Sequence, residues 1–179
     1  MTWTIIVLSV LALVLFSFWI SWRASRLDRL HNRVEAARTA LDLTLVRRAS
    51  AASELASSGV LDPATSLLLA DAVLRSRQAV PAERDLAESD LTRALRATVS
   101  EPGFRQELAA NLGAAELVDE VEAAAHQVFI ARKFYNDVAG RTIDDRRRPV
   151  ARVLHLWGSA PQPEFFDMDD ALTGDDSRG

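Results

Sequence analysis

The chain has 179 residues, no cysteine, seven glycines and six prolines. That length suits one domain with a small appendage, and the lack of cysteine excludes disulfides, thiolate nucleophiles, lipoprotein anchors and thiolate zinc sites. The net charge of −4 conceals a gradient: residues 23–48 carry seven arginines against Asp28, Glu35 and Asp42, whereas residues 162–179 carry six acids against Arg178.

Residues 1–22 contain no charged side chain. From Trp3 to Trp22 the run is about 20 residues, roughly 30 Å as a helix, the thickness of a hydrocarbon core. Trp3 at one end and Trp19 and Trp22 at the other match an interfacial aromatic belt. A cleaved signal would place basic residues before a shorter apolar run and small residues at its exit. Here Arg23, Arg26 and Arg29 follow the run and tryptophans occupy the exit, so residues 1–22 read as an uncleaved transmembrane anchor. Positive flanks stay cytoplasmic, which puts the N-terminus outside and residues 23–179 in the cytoplasm.

Beyond the anchor, Leu27, Leu30, Val34, Ala37, Leu41, Leu45 and Ala49 recur at steps of three and four. No helix breaker intervenes before Ser57-Ser58-Gly59, so the membrane helix is expected to run on into the cytoplasm. Asp62-Pro63 is a helix start, Asp as N-cap and Pro in the first turn. It opens a second helix with Leu67, Ala70, Val73 and Leu74 as its apolar face, ended by Val80-Pro81. A third helix over about 82–99 presents Leu86, Leu91, Ala94 and Leu95 and breaks at Glu101-Pro102-Gly103. Phe104, Leu108 and Leu112 add a further turn or two.

In the last helix Leu117, Val121, Ala124, Val128, Ala131, Tyr135 and Val138 alternate steps of four and three, a heptad seam suited to supercoiled helix packing. No stretch sustains the alternation of a strand. The expected fold is all-α: an N-terminal transmembrane helix, then an antiparallel four-helix-type bundle within residues 23–160. Residues 161–179 form an acidic tail expected to be largely disordered, in which Phe165-Phe166 is either a docking motif or folds back on the bundle.

The chemistry-bearing residues are sparse. None of His31, His126 and His155 has a second ligand at metal-box spacing. There is no nucleophile elbow and no phosphate-binding glycine pattern. Asp144-Asp145 and Asp169-Asp170 read as solvated charge, since adjacent helical residues point apart. No catalytic, metal-binding or cofactor-binding residue is assigned, and a domain that is not basic overall argues against nucleic acid. Arg146, Arg147 and Arg148 complement a helix C-terminus. If the bundle returns to the bilayer, they instead join Arg23, Arg26 and Arg29 near anionic headgroups, each worth about 1 kcal/mol there. Beyond Pro149, Val150, Val153, Leu154 and Trp157 share a helical face suited to an interfacial helix or a bundle cap.

Two motifs stand out. Asn32, Val34, Ala37, Leu41, Asp42, Leu45, Arg47 and Arg48 fit an N-x-V run leading into an I/L-D…L-x-R-R segment. Ala131-Arg132-Lys133-Phe134-Tyr135-Asn136-Asp137 is similar to an A-R-R-x-Y-N-D signature, with Ile143 and Phe165-Phe166-Asp167 where closing elements would stand. In these features the chain resembles the LemA family. Arg141-Thr142 stands where that family often repeats Y-N. The resemblance implies a bacterial single-pass membrane protein with a cytoplasmic helical bundle, and no established catalytic activity or cofactor.

Within the second motif, Tyr135 lies on the seam and is expected to be buried, with Phe134 widening the apolar face. Asn136 and Asp137 fall outside the seam, and Asn136 is expected to reach the first helix near Arg47 or Arg48. The functional expectation is a non-catalytic interaction or scaffold role, with membrane lipids and an unidentified membrane-associated protein as partners. One alternative is a membrane-surface enzyme subunit built on a buried cluster of Asp42, Arg47, Arg48, Tyr135 and Asn136. Another is a self-assembling homo-oligomer.

Overall fold

The computed structural model describes residues 2–100, 104, 112–147 and 161–172, apart from the side chains of residues 20–30 and 112. The side chains of Trp22, Arg23, Arg26 and Arg29, together with Arg148, His155 and the apolar face from Val150 to Trp157, lie outside the described residues. Four α-helices and one short 3-10 turn, and no strand, occur among the described residues: α1 (Thr2–Ser57), α2 (Pro63–Gln78), the turn Pro81–Glu83, α3 (Arg84–Val99) and α4 (Leu112–Arg147).

The boundaries follow local chemistry. α1 runs unbroken through the apolar stretch into the amphipathic one, as its lack of Gly and Pro allows. It stops at Ser58-Gly59, where Gly59 adopts φ 75°, a left-handed conformation that costs glycine little. Asp62 caps α2: its Oδ1 accepts from the backbone N–H of Ala64 at 2.9 Å and of Thr65 at 3.2 Å, with Pro63 in the first turn. Hydrogen bonding from Thr65 holds the Asp62 carboxyl below the usual carboxylate range.

Within α1, Thr2–Trp19 has a mean hydropathy of 2.2 and none of it is buried. This stretch is long and apolar enough to cross a membrane or to serve as a signal sequence. Phe16 and Trp19 stack along it with ring centroids 6.2 Å apart.

The chain divides into two compact units, Met1–Ala36 with Asp137–Glu164, and Ala37–Asn136 with Phe165–Gly179. In the first, Val34, Ala139, Thr142 and Ile143 are buried, and the Thr142 hydroxyl donates back to the Val138 carbonyl at 2.8 Å. In the second, one core gathers Ala49, Ala52 and Leu55 of α1, Leu69, Ala72 and Val73 of α2, Leu91, Leu95 and Val99 of α3, and Val118, Val121 and Ala124 of α4.

The α1 stripe is the expected one, with Val34, Ala37, Leu41, Leu45 and Ala49 all buried. On α4, Val121, Ala124, Val128 and Tyr135 are buried, but at the ends burial moves from Leu117 to Val118 and from Val138 to Ala139. A 3.6-residue helix drifts about 20° per heptad from a 3.5-residue seam, which accounts for the slip at the C-terminal end, from Val138 to Ala139, but not for the one at Val118.

The expected faces of α2 and α3 hold at Val73, Leu91 and Leu95, which are buried, and need correction elsewhere. Leu67, Leu74 and Leu86 are exposed, and the buried stripes are Leu69, Ala72, Val73 and Ser76 on α2 and Glu88, Leu91, Thr92 and Leu95 on α3. Three consecutive leucines, 67–69, permit several helical registers. The register adopted is the one that brings Ser76 and Glu88 inward, where they meet an arginine of α1.

Candidate functional site

Two polar assemblies are built on these helices. The first is internal. Arg48 Nη2 meets Glu88 Oε2 at 2.6 Å, with the two side chains 1% and 3% exposed. Arg48 also donates to the Thr92 hydroxyl at 2.8 Å and to the Glu88 carbonyl at 3.2 Å. Ser76 donates to the other Glu88 carboxylate oxygen at 2.9 Å. Three helices thus share one network in which each carboxylate oxygen is occupied, the condition under which a buried ion pair is tolerated. Burial pushes the Arg48 guanidinium below the ordinary arginine value, opposed by the charge and hydrogen bond of Glu88 and then by the charge of Asp170.

That last contribution leads to the second assembly, in which residues 165–172 lie extended between α3 and α4. Exposure along this segment alternates strictly: Phe165, Asp167, Asp169 and Ala171 face outward, while Phe166, Met168, Asp170 and Leu172 are wholly or partly covered. A period of two is that of a strand, and the backbone contacts follow it. Phe166 turns both its N–H and its C=O to Asn136 of α4: Oδ1 accepts from the N–H at 2.9 Å, and Nδ2 donates to the C=O at 3.0 Å.

The odd-numbered residues turn to α3. The Asp167 N–H donates to Asp85 Oδ2 at 3.0 Å, the Asp169 N–H donates to Ser89 Oγ at 3.0 Å, and the Ala171 carbonyl accepts from Arg96 Nε at 2.7 Å. The spacing is commensurate: two residues of strand advance about 6.6 Å, and the four residues from Asp85 to Ser89 advance about 6 Å along a helix. The segment therefore runs parallel to α3, with side chains of two helices supplying what neighbouring strands would.

Three side-chain contacts complete the site. Asp170, directed inward, accepts from Arg132 Nε of α4 at 2.6 Å. Both oxygens of Asp169 accept from Arg96 Nη2 at 2.8 Å. Met168 is buried, and Leu172 packs against the main core. Burial alone would raise the Asp169 pKa, but the Arg96 hydrogen bond, the Ala171 N–H and the charges of Arg96 and Arg93 outweigh it and hold the carboxyl below the usual range.

The site redistributes the residues singled out in the sequence. Asn136 does not reach α1 near Arg47 or Arg48; it holds the Phe166 backbone. Arg132 belongs to the same site. Asp42 pairs with Arg84 at 3.1 Å, Arg47 donates to Gln127 at 3.3 Å, and Asp137 pairs with Arg141 one turn on at 2.9 Å. Asp42, Arg47, Arg48 and Asn136 are thus divided among different partners. Tyr135 is buried, Phe134 does not widen the covered face but is exposed, and Asn32 is exposed. Arg147 is exposed and Arg146 half-buried, with burial lowering the Arg146 pKa from its ordinary value. His126 stacks on Phe129.

Residues 165–172, expected from composition to be largely disordered, hold a defined extended path. Asp85, Glu88, Ser89 and Arg96 escaped sequence reasoning. The one available signal was the alternation of Phe166, Met168 and Leu172, which Asp170 interrupts at the position facing Arg132.

No family model matches the chain, and neither a curated protein nor a solved structure matches it.

Proposed function

We propose that this chain is a single-pass, membrane-anchored helical-bundle protein of the LemA type, with a non-catalytic interaction or scaffold role at the cytoplasmic face of a bacterial cell membrane. The observation that carries this reading is the continuity of α1. An uncharged apolar stretch over Thr2–Trp19, none of it buried, passes without a break into the amphipathic stretch whose face joins the core. Leaving such a stretch in water would be costly, at about 25 cal/mol per Å² of apolar surface, and a hydrocarbon core of matching thickness removes that cost.

In this reading the remaining helices pack as an antiparallel bundle. Arg23, Arg26, Arg29 and Arg146–Arg148 face anionic headgroups, and partners are membrane-associated proteins. The Asn32–Arg48 and Ala131–Asp137 motifs support the family assignment.

The absence of native cysteine makes topology directly testable. With cysteine placed singly at Thr2 or at exposed Ser100, a membrane-impermeant maleimide applied to intact cells should label position 2 and spare position 100 until the membrane is permeabilised. The converse pattern overturns the orientation. Release of the full chain by alkaline carbonate overturns the anchor itself.

A further inference from the structure

The contacts that hold residues 165–172 read an extended backbone and a short pattern of side chains, and none of them depends on the segment belonging to the same chain. Asn136, Asp85, Ser89 and Arg96 satisfy main-chain groups that any non-proline peptide carries. Specificity comes from the Met168 position, which is buried, and from two carboxylates. One sits on Arg96 at 2.8 Å and the next on Arg132 at 2.6 Å.

The occupant is held by one well-covered ion pair, Arg132–Asp170 with side chains 21% and 11% exposed, and otherwise by weaker contacts. The Arg96–Asp169 pair is about a third or more exposed on both sides, and exposed pairs contribute little each. Apolar burial within the segment falls on Met168 and, in part, Phe166 and Leu172. Seventeen residues, 148–164, join Arg147 to Phe165, and covalent linkage of a segment to its site supplies an effective concentration on the order of mM. Occupancy in cis therefore owes much to the tether, and a competitor concentrated at the same membrane surface meets it on comparable terms.

We propose that the groove between α3 and α4 is a recognition site for an extended acidic segment of a partner protein, and that residues 165–172 are its tethered competitor. The proposal rests on the reading of this chain as an interaction protein and specifies the ligand. The partner segment lies parallel to α3, with an apolar side chain at the Met168 position, carboxylates at the next two positions, and an apolar side chain at the Leu172 position. Release of the tail exposes Arg96, Arg132 and Asn136 together, so groove and tail form an autoinhibited binding module.

The test uses the full chain in lipid nanodiscs and a fluorescent synthetic peptide of residues 163–172. Met168→Asp combined with Asp170→Lys frees the groove of its own tail. The opened chain should bind the peptide saturably and at least tenfold more tightly than the unaltered chain does. Adding Arg132→Gln, which cannot pair with the substituted residue 170, or reversing both carboxylates of the peptide, should reduce that binding at least tenfold. Equal binding to both chains overturns the proposal, as does no binding to an opened chain whose helical signal and melting match the unaltered protein.

A second copy's tail is the other conceivable occupant. Ser89→Cys on one chain and Asp169→Cys on another, compared with a chain carrying both substitutions, settle it in a protein free of cysteine. Closure only within the doubly substituted chain supports the tail as a competitor in cis, whereas a disulfide between two separate chains overturns the assignment to a partner protein. Carbonate extraction reads the anchor separately, so a failure of peptide binding in a chain that stays in the membrane sinks the groove proposal alone.

Discussion

Arg48 meets Glu88 at 2.6 Å with side chains 1% and 3% exposed, whereas Arg96 meets Asp169 at 2.8 Å with side chains 33% and 41% exposed. The partners are of the same chemical types and the distances nearly equal, yet the surroundings differ. In the interior, the ion pair replaces water that neither group can recover, and Ser76 and Thr92 occupy the remaining Glu88 oxygen and Arg48 Nη1, while Arg48 Nε stays buried without a partner. At the groove, water can replace either partner, so the pair directs the segment without locking it. Similar contacts thus give a permanent register between helices in one place and a releasable strap in the other.

The sharpest way to break this contrast is to remove one charge from the interior. Arg48→Met leaves the Glu88 carboxylate buried and uncompensated and should cost about 3–5 kcal/mol of stability, read from the urea midpoint of the full chain in detergent. Adding Glu88→Leu should restore most of the loss, since an apolar pair of similar volume is often as stable as a buried ion pair. A loss below about 1 kcal/mol in the single variant would place the pair with the exposed ones.

Tyr135 and Asn136 carry the same contrast within two adjacent residues. Tyr135→Ala removes a buried ring and should cost about 3 kcal/mol of global stability. Asn136→Asp keeps size and shape but sets a carboxylate oxygen against the Phe166 carbonyl where an N–H had donated. It should weaken docking of the segment by about 1–3 kcal/mol while leaving the urea midpoint nearly unchanged. The readout is the exchange rate of the Phe166 amide, and a fall in the midpoint equal to that of Tyr135→Ala would mean the strap is part of the core.

Much of the fold was legible because its signals are local and redundant. The uncharged run ending at Trp22, the Asp62-Pro63 start, the Val80-Pro81 stop and the α1 stripe each follow from residue chemistry within a few positions. The registers of α2 and α3 were legible only at Val73, Leu91 and Leu95, because the rest of the buried face there is defined by polar residues. Ser76, Glu88 and Thr92 face inward for Arg48, a residue 28 to 44 positions away, while Leu67, Leu74 and Leu86 stay outside. The candidate site was half legible. Arg132 and Asn136 stood out in their motif, but their role depends on a segment more than 25 residues further on, where the strand pattern is masked by an inward aspartate.

Acidity should separate the two regions again. Asp169 has its pKa depressed when docked. Its contribution to docking is therefore present above the pKa of the free segment and is lost as pH falls through the docked value. Strap amides should lose protection on acidification, and protection that stays constant below the ordinary carboxylate range would contradict the role given to Asp169. The smallest expected effect is at the α2 cap. Asp62→Ala leaves the Ala64 and Thr65 amides without their acceptor and should lower Tm slightly, with no change in strap protection.

Hydrogen exchange of the full chain in nanodiscs, followed residue by residue, compares the two regions in a single measurement. The amides of Asp167 and Asp169 should exchange measurably slower than an unstructured peptide but far faster than α1 amides around Arg48, with rates insensitive to low urea and raised to the unstructured value by Asn136→Asp. Exchange of the strap amides together with those of α1, only on global unfolding, would contradict the account by making the segment a fixed part of the core. Exchange at the unstructured rate in the unaltered chain would contradict it from the other side.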